Sequence, residues 1–106
     1  MSEPTAATLL LRAALKRQRS RVAEVLGQYG ATNPRLFGSV ARGDAREDSD
    51  LDLLVDLAPG AGNELLRVAG LAEELSGLLG VRVDVVAATL LRDEVSATAL
   101  KDAVAV

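Results

Sequence analysis

The chain has 106 residues, 49% of them apolar, a formal charge of −3 at pH 7, and neither Cys nor His. That length suits one core, so residues 1–106 are expected to form one domain, since two cores would each be too small to offset the entropy of ordering. Disulfides, thiolate or imidazole zinc sites and a histidine base are excluded, leaving oxygen to hold any metal; an acidic chain with two aromatics is also poorly suited to gripping nucleic acid.

Taken in chain order, the N-terminal "MSEPTAATLLLRAALKRQRS" has too short an apolar patch, and no preceding basic segment, for a signal peptide. No run reaches membrane-spanning length, so a cytoplasmic location without membrane contact is expected. From about Ala6 to Gln28, Leu11, Leu15, Val22, Leu26 and Tyr29 fall near helical spacing, and Gly30 offers a stop. Asn33-Pro34 favours extended backbone into "RLFGS", a short strand ending at the Gly38-Ser39 turn, with one helical turn able to follow. Ser49 to Leu57 reads as a second strand. The "APGAGN" loop ends at Asn63, a helix cap, and the next helix presents Leu65, Val68, Ala69, Ala72, Leu75 and Leu79 before Gly80 stops it. "VRVDVV", Val81 to Val86, is a third strand, and Leu91 to Val104 has mixed helical periodicity after a possible cap at Thr89. The reading is an α/β (α+β) domain in the order αββαβα, a short mixed sheet packed against helices.

Charge is polarised along this chain. Residues 1–42 carry seven basic and two acidic residues, and residues 43–106 carry five and thirteen. Within the second strand, Asp50 and Asp52 alternate with Leu51, Leu53 and Val55, so two carboxylates share one face. At roughly 7 Å or less their repulsion is on the order of 1–3 kcal/mol without a cation between them. Asp84 stands opposite the valines of the third strand, and the three aspartates converge if the two strands pair. Three carboxylates suit a hard ion such as Mg2+, which is ordinarily held by a few carboxylates and substrate phosphates. Gly38 allows close backbone approach to a ligand, the amides beyond it and the Ser39 hydroxyl can meet a phosphate, and Arg42 can neutralise an outer phosphate or pair with Asp44 or Asp48. Alone, an Asp-Leu-Asp on a strand is a solvated face and Gly-Ser a plain turn; their combination describes metal-assisted attack on a nucleoside triphosphate. Asp56 reads as solvated at a strand end, and Lys16 to Arg21 as the wet face of a helix or a partner- or phosphate-facing surface.

The segment "FGSVARGDAREDSDLDLLV" resembles the nucleotidyltransferase signature of the DNA polymerase beta superfamily, and its full text resembles the minimal nucleotidyltransferase (MNT) family, commonly encoded as the antitoxin beside a HEPN-domain toxin. The resemblance runs from the first helix to the last. It implies that Asp50 and Asp52 bind catalytic Mg2+, that Asp84 completes the triad and helps deprotonate the acceptor hydroxyl, and that Gly38 and Ser39 hold the triphosphate. It further implies ATP as donor and a tyrosine hydroxyl of the toxin as acceptor, within a hetero-oligomer of the two. Two other readings stand beside it: an antitoxin that masks its toxin without catalysis, and a nucleotidyltransferase acting on a small molecule such as an aminoglycoside.

Overall fold

The computed structural model describes residues 3–60, 62–90 and 103–106. Thr5 caps the first helix, α1 (Ala6–Arg17), by accepting from the Thr8 amide, and Lys16 and Arg17 sit in its last turn, where the helix dipole favours positive charge. Gln18 leaves the helical region, and α2 (Arg19–Gln28) follows. The apolar spacing continues across Gln18, so the one expected helix is in fact two.

β1 (Ala31–Phe37) carries one extra residue between Thr32 and Arg35, where Asn33 has φ 51°. A bulge is where a strand tolerates Pro34, which has no amide hydrogen to give. The short helix α3 (Gly38–Arg42) ends at the left-handed Gly43. β2 (Leu51–Leu57) begins one residue beyond Asp50, later than the expected start at Ser49. Asn63 caps α4 (Glu64–Leu79) through the Leu66 amide, as its position suggested, and Gly80 ends it in the left-handed region. β3 (Val83–Ala87) lies slightly C-terminal to the expected Val81–Val86, and a 3₁₀ turn, Ala88–Leu90, follows. Val104 and Ala105 form β4, so Val104 is strand and not the end of a helix; the rest of the expected final helix lies outside the described residues. The α+β class is as expected, and so is the order of the first five main elements, αββαβ, with α1 divided from α2, the helical turn after Gly38-Ser39 present as α3, and β4 added.

The sheet is mixed, in the order β3-β2-β1-β4. β1 is antiparallel to β2 and β4, whereas β2 and β3 run parallel and are joined through α4. Leu11, Leu15, Val22 and Leu26 of α1 and α2 meet Leu71 and Leu75 of α4 over Leu51, Leu53, Val55, Val83 and Val85. Of the core face expected for α4, Val68 and Leu75 are buried and Ala72 and Leu79 pack against the core, whereas Leu65 and Ala69 are exposed and Leu71 and Arg67 are buried in addition. Arg67 stays inside because its guanidinium donates to the carbonyls of Tyr29 at 2.7 Å, Ala58 at 3.0 Å and Gly30 at 3.2 Å, tying α4 to the ends of α2 and β2. No helix among the described residues is long and apolar enough to cross a membrane.

Candidate active site

Alternation along the strands turns Asp52, Leu54 and Asp56 of β2 away from the side that packs on Leu71 and Leu75. That second face is not uniformly polar. Leu54 is fully buried there, in register with Arg35 on one side and Val86 on the other. Asp56, expected to be solvated, accepts from Arg35 at 2.8 Å and from Asn33 at 3.1 Å, so both of its oxygens are engaged although the side chain stays about half exposed.

Near the start of β2 the pairing makes a row across three strands: Phe37 of β1, Asp52 of β2 and Asp84 of β3. Parallel neighbours in register point the same way about 4.8 Å apart, so the Asp52 and Asp84 side chains leave the sheet side by side. Asp50, just ahead of β2, is partly buried and has Arg82 at 3.9 Å, an exposed and weak pairing. Asp84 is exposed, with its carboxylate open to an incoming molecule.

Gly38 follows Phe37 directly and turns the chain with φ 71°. A Cβ built on it would run into the Asp52 carboxylate, with the Asp52 Cγ at 3.3 Å. The glycine is thus required twice, by its left-handed backbone and by the acid that fills the space beside it. Ser39 is partly buried in the first turn of α3, whose amides receive no side-chain cap from Phe37. Arg42 rests 3.4 Å from Asp44, the surface partner its sequence allowed, and both side chains are about half exposed. It nevertheless faces the acidic cluster closely enough to lower the proton affinity of Asp52.

The carboxylates act on one another. Burial, then the charge of Asp84, then that of Asp50 push the Asp52 carboxyl up to about 6, with only Arg42 opposing. A carboxylate held so high is one that a cation would relieve. The donors are all oxygen, the type a hard divalent ion takes, and Asp50, Asp52 and Asp84 are the residues that could hold it. Among the described residues no three acidic side chains are gathered tightly enough to enclose an ion, so ligation by all three requires their side chains to turn inward.

The sequence pattern named the aspartates and the Gly-Ser turn but missed what braces them. Thr5, Thr8 and Arg12 of α1 hold the backbone around α3. Their spacing of three, then four residues is one helix face, and the small polar threonines on it were the available signal.

The sequence profile of the family described as nucleotidyltransferase domain matches residues 15–106. A protein adenylyltransferase, MntA, of Thermococcus cleftensis is 40% identical over 81 residues, which is 76% of this chain and 80% of that protein. A solved structure described as a minimal nucleotidyltransferase has a TM-score of 0.74 at 46% identity, covering 89% of this chain and 93% of that one. A toxin-antitoxin crystal structure with AMP-PNP has a TM-score of 0.69 at 20% identity, covering 81% of this chain and 69% of that one, and shares the fold.

Proposed function

Since the chain belongs to the nucleotidyltransferase domain family, we propose that it is an antitoxin that transfers AMP from ATP to a tyrosine hydroxyl of a cognate HEPN toxin. The observation that carries this reading is the row Phe37, Asp52, Asp84, with Gly38 pressed against the Asp52 carboxylate. It puts a tight glycine turn and an acidic cluster on one edge of the sheet, the two parts that triphosphate chemistry needs together. The kinship with a protein adenylyltransferase supports a protein acceptor, and the likeness to a minimal nucleotidyltransferase supports one catalytic domain over residues 1–106. A cytoplasmic location belongs to the same reading.

In this mechanism the amides after Gly38 and the Ser39 hydroxyl bind the triphosphate, and Arg42 swings from Asp44 to neutralise an outer phosphate. Asp50, Asp52 and Asp84 would hold Mg2+, which would supply positive charge to the phosphoryl oxygens and to the leaving group. The exposed Asp84 lies where an acceptor can approach, and it takes the proton from the tyrosine hydroxyl. The tyrosine oxygen forms its bond to the α-phosphorus as the bond from that phosphorus to the bridging oxygen breaks. Pyrophosphate leaves, and the proton passes from Asp84 to solvent.

The test is mass spectrometry of the toxin after incubation with this protein, ATP and Mg2+. An AMP adduct on a tyrosine is the expected result. Neutralised toxin with no adduct would replace the reading by masking, and AMP found on a small hydroxylated molecule with the toxin unmodified would replace it by small-molecule modification.

A further inference from the structure

The turn that is to cradle phosphate is short, and α3 has only five residues with which to hold itself. Much of its support comes from one face of α1. Arg12 Nη2 donates to the Val40 carbonyl at 2.8 Å and to the Ala41 carbonyl at 3.2 Å, acceptors near the end of α3 that a longer helix would have satisfied internally. One turn earlier, Thr8 is completely buried and its Oγ1 accepts from the Ala45 amide at 3.0 Å. Thr5 Oγ1 donates to the Ala45 carbonyl, which can only accept. The 2.8 Å contact between the two threonine oxygens must therefore be Thr8 donating to Thr5. Both polar groups of Ala45 are thereby held by α1, through hydroxyls whose direction is fixed. The Thr5 amide completes the attachment by donating to the Gly43 carbonyl at 2.9 Å.

We infer that Thr8 and Arg12 are positioning residues for nucleotidyl transfer, clamping α3 and the chain leaving it so that Gly38, Ser39 and Arg42 stay in place against the aspartates. Thr5, Thr8 and Arg12 all precede residue 15, where the match to the family begins. The clamping residues thus lie outside the matched segment, on a helix that packs against α3. This inference rests on the nucleotide site proposed above, and its test separates the two.

The measurement is amide hydrogen exchange and ATP titration in the presence of Mg2+, on the intact chain and on Arg12→Met, Thr8→Val and Thr8→Ser. Tyr29→Phe serves as the control, since it removes a side-chain bond to Glu74 that lies outside this network. In Arg12→Met and Thr8→Val, the Gly43, Asp44 and Ala45 amides should exchange at least tenfold faster while those of Leu71 and Leu75 stay unchanged. ATP affinity should fall at least fivefold in both, with Thr8→Ser restoring it and Tyr29→Phe leaving it alone. Exchange that rises equally in α4 would make the role one of general stability and overturn the inference, as would local loosening with undiminished ATP affinity. Should Thr8→Val fail to fold, Arg12→Met decides the matter through the same exchange and affinity changes. If the unaltered protein binds no ATP, the nucleotide site falls, and the exchange pattern still decides whether the clamp exists.

Discussion

Replacing Asp52 by Asn should stabilise the protein while destroying its chemistry, and the gain should depend on pH. The folded state holds the Asp52 proton more tightly than the unfolded chain does, its carboxyl having moved from 3.8 up to about 6 through burial, then Asp84, then Asp50. Folding stability from this group is therefore lost as pH rises from about 4 to about 6, and the whole penalty is present above that window. Two units would be worth about 3 kcal/mol for a group wholly removed from water, and solvent screening of a partly buried side chain reduces this to about 1–2 kcal/mol. Asn is neutral throughout and nearly the same shape, so it avoids the penalty. Urea unfolding with a chelator present should show Asp52→Asn more stable than the original by about 1–2 kcal/mol at pH 8 and equal to it near pH 4. Other titrating groups are common to both proteins and largely cancel in the difference. An Asn variant no more stable at pH 8, or a difference that ignores pH, would refute the claim that burial and the neighbouring carboxylates disfavour the Asp52 charge.

Gly38→Ala should lose about 1–2 kcal/mol from the left-handed backbone alone, before its Cβ displaces the Asp52 carboxylate, and should also weaken ATP binding; thermal unfolding and ATP titration check the two effects. Arg67→Met should cost about 2–4 kcal/mol in urea unfolding, because a buried guanidinium loses its hydrogen bonds to three part-buried carbonyls together. Its ATP affinity, measured where the variant is fully folded, should be unchanged, since Arg67 braces the opposite ends of the strands from the aspartates.

How far these features could be read from the sequence depends on how local their causes are. Gly38, Ser39, Asp50 and Asp52 lie within fifteen residues, so turn chemistry and strand alternation sufficed to group them. Asp84 was recognisable as the charged member of a valine strand, but its pairing with Asp52 depends on the parallel register that α4 imposes across the connection. The break at Gln18 was hidden because Leu15 and Val22 keep helical phase through it. In α4 periodicity placed Val68, Ala72, Leu75 and Leu79 on the core side but did not find Leu71 or Arg67 there. Arg67 is admitted inside by three carbonyls remote in sequence, which no local pattern reveals. Thr8 stands out as a small polar residue on its helix face, but what it binds was not legible for the same reason, since its partner Ala45 lies 37 residues away.

The central claim is that the aspartates beside the Gly38-Ser39 turn transfer a nucleotidyl group. The most direct measurement is transfer of label from α-labelled ATP with Mg2+ to the proposed toxin partner by the unaltered protein and by Asp52→Asn, with γ-labelled ATP run in parallel. The account predicts α-label on the toxin, none from γ-labelled ATP, and loss of transfer in a variant that unfolds at higher urea than the original. Label transferred undiminished by Asp52→Asn, or carried over from the γ-phosphate, would contradict it.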